Sequence, residues 1–176
     1  REMEETWKLR QEAVTLLEGV VAEWWTDPTS VQCFDRRIVE RAKAHDSDGA
    51  PTALPRGWES FAETGASGLW TSARDLGRFV GSLIKSYQGR AEFLPQPLAT
   101  AMMTEVSPSP FGLGPRLGGA GVGRRFFHFG ANDIYQAFME GYLETGDGYV
   151  ILTNGSNGGL LALEIRNALA DAINLG

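Results

Sequence analysis

The sequence predicts an α+β fold in which an antiparallel sheet is flanked by helices. Two observations indicate this class. Short β-type runs separated by glycine turns fill residues 111–155. Helical stripes of apolar residues precede and follow these runs. Strands that follow one another directly, with a helix to close the chain, favour an antiparallel sheet covered by helices.

The first predicted element is a helix over residues 2–25, where apolar residues recur at helical spacing between charged ones. Asp27 and Pro28 end it. We therefore divide the chain into an N-terminal helix at 1–28, with no assigned role, and a main body at 29–176. Residues 29–57 are predicted to be irregular because they are rich in Asp, Gly and Pro.

Two helices are predicted ahead of the strands. Ser72 followed by Asp75 is a capping-box pattern that begins the longer one. Its apolar stripe consists of Leu76, Phe79, Val80, Leu83, Ile84 and Tyr87. Residues 95–103 predict a short helix with a proline at its start.

Four strands are predicted, within residues 111–119, 124–132, 135–144 and 149–155. The Asp-Gly pair at 147–148 indicates a hairpin between the last two. The last strand is apolar on both faces, which predicts a central position in the sheet.

The closing helix is expected from about Gly159, with Asn157 as its N-cap. Its predicted buried stripe is Leu161, Ile165, Ala168, Leu169, Ala172 and Ile173.

The composition argues against several classes of partner. The net charge of -6 argues against nucleic acid, because phosphate binding needs clustered Lys and Arg. No apolar stretch approaches the ~18 residues of a membrane span. Two histidines and one cysteine far apart give no metal-ligand spacing, and no cofactor motif is present. The single cysteine leaves the compartment open between cytoplasm and periplasm or secretion.

Two motif matches are attributed to chance or to turns. Ser82 and Lys85 match S-x-x-K, but helical spacing turns both away from the apolar stripe, so we expect them to face water. The glycines at 112–114 and 119–123 lead into a strand rather than a helix. They therefore indicate hairpin turns instead of a phosphate loop.

His128 is the residue that the pattern alone leaves ambiguous. In a strand, Phe126, His128 and Gly130 share one face, and Phe127 and Phe129 share the other. A histidine among phenylalanines is more often a structural residue with one hydrogen bond than a catalyst. The surrounding motifs nevertheless favour a catalytic role for His128.

Residues 29–176 resemble the C-terminal part of the serine β-lactamase-like superfamily, which includes class C β-lactamases, DD-peptidases and related esterases. Five matching pieces occur in the family's order. They are His45-Asp46 with Gly49, Gly68-Leu69-Trp70-Thr71-Ser72 with Asp75-Leu76, Phe111-Gly112-Leu113-Gly114, His128-Phe129-Gly130 and Val150 to Gly155. The fourth piece is similar to the H-x-G form of the motif that is K-T-G in the lactamases.

The resemblance implies a site at this motif. His128 would be the side chain that orients substrate and supports proton transfer at a catalytic serine. Gly130 would let substrate approach the backbone. The N–H of Ala131 would be an oxyanion-hole donor. Phe129 and Asn132 would be substrate-binding positions. Phe129 stands where relatives carry Gly, Ser or Thr, so its ring would crowd a β-lactam carboxylate and leave ester or amide hydrolysis open.

The sequence departs from the family in its missing nucleophile. It contains no Y-x-N, and its one S-x-x-K is the match at Ser82. We therefore expect the C-terminal portion of a longer serine hydrolase of esters, amides or β-lactams, which the start at Arg1 favours over a truncated homologue. The alternative is a non-catalytic binding or scaffolding module. Either an N-terminal partner segment or a second copy of the chain is expected to associate with it.

Overall fold

The structure is a computed structural model that describes residues 41–54, 59, 64–90 and 93–172. Residues 43–176 form one compact unit. The helix predicted over residues 2–25 lies outside the described residues. Residues 41–54 form the loop that the sequence predicts, and the N–H of His45 donates to the carbonyl of Asn154 at 2.9 Å.

The helices ahead of the sheet are α1 (Thr64–Ser67), α2 (Ala73–Tyr87) and α3 (Gln96–Met102). α2 begins as predicted, because the Ser72 hydroxyl accepts a hydrogen bond from the N–H of Asp75 at 3.1 Å. Its predicted stripe is confirmed. Val80, Leu83 and Ile84 are buried, and the other three members are partly buried.

The sheet contains four antiparallel strands in the order β1 (Arg116–Gly118), β2 (Arg125–Ala131), β3 (Gln136–Tyr142) and β4 (Gly148–Thr153). β1 is shorter than the predicted run at 111–119. The N–H of Leu113 donates to the carbonyl of Met102 at the end of α3 instead of joining the sheet. The predicted β3–β4 hairpin is present, and Gly146 has a φ of 89°, which only glycine adopts without strain.

The sheet lies between two helical layers. α2, supported by α3, packs on the face that carries Phe126 and Met139, and this side holds the main hydrophobic core. The closing helix α4 (Gly158–Ala172) packs on the opposite face against β3 and β4. The predicted α+β class, an antiparallel sheet covered by helices, is therefore confirmed.

The central position predicted for the last strand is not found among the described residues. In the described part of the chain, β4 is an edge strand that pairs with β3 alone along Gly148–Thr153. Its two apolar faces have another cause, because α2 covers one face and α4 covers the other.

The predicted buried stripe of the closing helix is also wrong. Leu161, Ile165 and Ala168 are exposed, whereas Gly158 and Ala162 are buried against the sheet. A side chain added at Gly158 would overlap Thr153, so this helix approaches the sheet through small residues. Asn157 lies at its start, but the side-chain amide of Asn157 donates to the carbonyl of Ser47 rather than capping the helix.

Candidate functional site

The H-x-G segment lies at the end of β2 that α2 does not cover. His128 is exposed, with Met139 as its partner on β3 and with Phe126 and Gly130 on the same face. The buried neighbour is Phe126, which packs against α2. Within the described residues, no hydrogen bond or ion pair engages the imidazole of His128. This histidine is therefore not a core residue with a buried partner.

The backbone of β2 directs the N–H of Ala131 away from β3. The N–H of Asn132 donates to the carbonyl of Tyr135 at 3.0 Å, so Asn132 belongs to the set of residues that bond to β3. Alternation along an antiparallel strand then points the polar groups of Phe129 and Ala131 to the opposite edge. β1 covers that edge only as far as Phe127, so in the described part of the chain the edge is open at Phe129 and Ala131.

The turn after Ala131 is held from several directions. The Glu59 carboxylate accepts a hydrogen bond from the N–H of Ile134 at 2.9 Å. The side-chain amide of Gln136 donates to the carbonyl of Asn132 at 2.6 Å. The ring of Trp70 meets that of Tyr135 edge-on at 5.4 Å. These contacts fix the backbone on the C-terminal side of Ala131, since the turn cannot move independently of them.

The other predicted substrate-binding residues take different places around this edge. Phe129 is 60% exposed and lies on the α4 face, opposite to the face of His128. Asn132 is partly buried at the start of the turn. The structure thus brings Gly130, Ala131 and Asn132 together along the backbone but separates the side chains of His128 and Phe129.

Comparison with known proteins gives the family. The family model described as Beta-lactamase matches residues 20–172. The chain belongs to the β-lactamase family. A search of curated proteins and a search of solved structures each found no match. Since the match extends over the whole described sheet and its helices, the sheet and its helical layers are part of the β-lactamase fold.

Two other features of this β-lactamase family chain, the S-x-x-K match and a cavity, lie apart from His128. Lys85 is exposed on α2 and Ser82 is partly buried, and no described contact joins their side chains. A cavity of about 240 Å³ lies near the opposite end of β2. Its lining consists of Met103, Glu105, Leu117, Gly118, Gly119 and Arg124.

A buried charge network on the α4 face was not anticipated from the sequence. Glu140 on β3 is fully buried and contacts Arg125 at 2.6 Å and Arg166 at 3.3 Å. It also accepts a hydrogen bond from the hydroxyl of Tyr149. Two guanidinium groups compensate one carboxylate, which makes this charge tolerable away from water.

The network shifts the titration of its members. Burial and the hydrogen bond to Glu140 raise the pKa of Tyr149. Burial and the charge of Glu140 also raise the pKa of Tyr142. Burial alone would lower the pKa of Arg166, but the Glu140 carboxylate outweighs this effect and raises it. Arg166 is the one member on α4, so the network fixes that helix to the sheet.

The signals for these additional residues were weak in the sequence. Glu59 and Trp70 reach the β2–β3 turn from positions 75 and 65 residues earlier in the chain. The local periodicity of the sequence does not indicate contacts between residues so far apart in the chain. Glu140 follows the alternation of β3 as an ordinary polar residue, and only its contacts with Arg125 and Arg166 distinguish it.

Among the described residues, no group of three or more His, Cys, Asp or Glu side chains is arranged to hold a metal ion. Within the same ranges, every helix is too short or too polar to cross a membrane.

Proposed function

We propose that the open end of β2 forms one wall of the active site of a serine hydrolase that acts through an acyl-enzyme. Its substrate is an ester, an amide or a β-lactam. The observation that carries the proposal is the N–H of Ala131, which leaves the sheet at an edge that β1 does not reach. The exposed imidazole of His128, three residues earlier on the same strand, supports it.

The proposed mechanism uses this edge as a site for the substrate carbonyl. Its oxygen accepts a hydrogen bond from the N–H of Ala131, and that bond strengthens as the oxygen gains negative charge in the transition state. Gly130 leaves room beside the donor, since the nearest atom to a side chain placed there is the Cβ of Ala137 at 3.9 Å. His128 orients the substrate and supports proton transfer at the serine.

The substrate class is inferred from Phe129. Phe129 lies between His128 and Gly130 in the strand, and its ring projects from the opposite face and is largely exposed. An apolar ring offers no partner to a carboxylate, so we favour an ester or amide with an apolar group over a β-lactam. The nucleophile and its base are supplied by a segment outside the 176 residues, because this sequence carries no Y-x-N and its S-x-x-K lies on α2.

The test is to measure acylation by a nitrophenyl ester after joining a segment with S-x-x-K and Y-x-N ahead of Arg1. We expect Gly130→Val to lower the acylation rate by ~10²-fold or more, because the branched side chain displaces substrate from the donor. Gly118→Val on β1 is the matched control. A side chain there also meets only ordinary contacts, at 3.6 Å, so its rate should not change.

Two results would contradict the proposal. One is equal acylation by the Gly130 and Gly118 variants. The other is labelling of Ser82 by a fluorophosphonate in the 176-residue chain alone, which would place the nucleophile on α2. We expect that chain to remain unlabelled and inactive towards a chromogenic β-lactam and the nitrophenyl ester. The upstream coding sequence offers a simple check, since absence of both motifs would favour the non-catalytic binding module.

A further inference from the structure

We propose that Glu59 is a positioning residue, which holds the turn after β2 so that the N–H of Ala131 keeps its direction towards the proposed active site. Its role rests on the proposed function, because it concerns the same oxyanion-hole donor. Two features of the described residues support this role. They are the composition of the turn and the hydrogen bond that the turn makes to Glu59.

The turn between β2 and β3 has a sequence that does not favour a tight hairpin. Asp133 and Ile134 are its central residues, and the N–H of Asn132 donates to the carbonyl of Tyr135 at 3.0 Å across it. Two-residue hairpin loops favour glycine at a central position, because their turn types need a positive φ. The pair Asp133-Ile134 contains no glycine, and the branched side chain of Ile134 is poorly suited to positive φ. This turn is therefore expected to depend on contacts from elsewhere in the chain.

Glu59 makes such a contact. Its Oε1 accepts a hydrogen bond from the N–H of Ile134 at 2.9 Å, across 75 positions of the sequence. Ile134 is only 7% exposed, and a buried N–H needs an acceptor because water does not reach it. Without Glu59, the turn would have to shift until this N–H met water or a different acceptor. The carboxylate thus selects one position of the turn.

A shift of the turn would reach the oxyanion-hole donor within one residue. Ala131 is the last residue of β2, and its partner Gln136 is the first residue of β3. The next N–H along the chain, that of Asn132, already belongs to the turn. An oxyanion-hole donor acts when it lies about 2.7–3.1 Å from the oxygen, so a displacement by a fraction of an ångström weakens it. Glu59 therefore acts on the substrate carbonyl through Ala131, without contacting the substrate.

Two other side chains contact the turn and define the alternative. The side-chain amide of Gln136 donates to the carbonyl of Asn132 at 2.6 Å, but Gln136 lies on β3 and moves with the hairpin. The ring of Trp70 meets that of Tyr135 at 5.4 Å and approaches from outside the hairpin, as Glu59 does. If these two contacts were sufficient, removal of the Glu59 carboxylate would leave the turn in place.

The structure allows the hydrogen bond of Glu59 to be separated from its charge. Oε1 accepts from Ile134, whereas Oε2 is buried and has no hydrogen-bond partner in the described part of the chain. Glu59→Gln keeps an acceptor oxygen of the same reach, and Glu59→Leu keeps a similar volume but removes the acceptor. Asp46→Ala is the matched control. It removes a carboxylate that accepts from the N–H groups of Asp48 and Ala50 at 2.9 Å in a different loop.

The first experiment measures amide hydrogen exchange by NMR in the 176-residue chain, so it does not require activity. We expect Glu59→Leu to raise the exchange rate of the Ile134 N–H by ~10-fold, the effect of losing one hydrogen bond, and to shift the amide resonances of Ala131 and Asn132. Glu59→Gln and Asp46→Ala should leave these three amides unchanged. Unchanged exchange and resonances in Glu59→Leu, or the same changes in Asp46→Ala, would overturn the proposal.

The second experiment measures acylation by a nitrophenyl ester in the enzyme assembled with an upstream S-x-x-K and Y-x-N segment. We expect Glu59→Leu to lower the limiting acylation rate by ~10- to 100-fold, because the donor is displaced. The apparent affinity for the ester should change little, and Glu59→Gln should keep the original rate. A lower melting temperature with an unchanged rate per folded molecule is the result of a purely structural role, and it would overturn the proposal.

Gly130→Val, measured in parallel, separates the role of Glu59 from the proposed function. A slow Gly130→Val variant beside a normal Glu59→Leu variant would overturn the role of Glu59 and leave the proposed function intact. Normal rates in both variants would contradict the proposed function and the role of Glu59 with it.

Discussion

The face of the sheet that carries His128 has two ends that differ in packing. At one end, Phe126 is fully buried against α2, and a side chain at Gly141 would come to 2.5 Å from its ring. At the other end, His128 and Gly130 are exposed, and a side chain at Gly130 has only ordinary contacts. The same strand thus anchors the fold at one end and presents an open edge at the other.

The difference separates two glycines of this sheet by the space around them. Gly141 is required by packing, because Phe126 and Val80 occupy the space that a side chain would need. Gly130 has free space around it, so packing does not explain its presence. The close approach of substrate proposed above would account for it. Substitutions at matched positions can therefore separate stability from function.

The largest expected effect is that of Phe126→Ala. It removes a fully buried ring from the core and should lower the free energy of unfolding by ~3–5 kcal/mol. His128→Ala, two residues along the same face, should change it by less than ~0.5 kcal/mol, as for an ordinary exposed side chain. Denaturant unfolding of both variants measures these changes in the free energy of unfolding. A comparable loss from each would mean that the open end is packed after all.

A smaller effect is expected from adding a methyl group at the two glycines. Gly141→Ala forces a methyl group against the ring of Phe126 and should cost ~1–3 kcal/mol of unfolding free energy. Gly130→Ala should be neutral, or slightly stabilising in a strand. Thermal unfolding of the two variants tests the contrast, and equal melting temperatures would remove the distinction between the two ends.

The smallest effect concerns the face of the sheet that α4 covers. This face serves as a reference, because it belongs to neither the packed end nor the open end of the face that carries His128. Because the pKa of Tyr149 is raised above its unfolded value of ~10, the folded state holds its proton more strongly. Its contribution to stability is complete below about pH 10 and is lost as the pH rises further. Alkaline unfolding should therefore be less steep in Tyr149→Phe. An unchanged pH dependence would show that Tyr149 does not titrate with unfolding.

Local patterns predicted the parts of the fold that local forces determine. Ser72 caps α2, and the apolar stripe of that helix faces the core, because capping and periodicity act within one element. The position of β4 and the buried side of α4 are hard to predict for a shared reason. Apolar residues indicate that a surface is covered but not what covers it. They therefore do not reveal the helices on both faces of β4, or the contact of α4 through Gly158 and Ala162.

At the candidate site, too, local sequence patterns predict only part of the arrangement. The alternation of β2 placed His128 and Phe129 on opposite faces, which the register confirms. The direction of the Ala131 N–H depends on the pairing with β3, and the support from Glu59 depends on a contact between distant parts of the chain. Neither is encoded in local periodicity. The resemblance of the motif, rather than its pattern, indicated where to look.

The most direct test of the account measures two quantities on His128→Ala, in the enzyme assembled with an upstream S-x-x-K and Y-x-N segment. These are the melting temperature and the acylation rate per folded molecule with a nitrophenyl ester. A histidine at the active-site edge predicts an unchanged melting temperature and an acylation rate lowered by ~10²–10⁴-fold, the range for a positioned acid or base. A lower melting temperature with an unchanged rate would show that His128 is structural and that the proposed site is wrong.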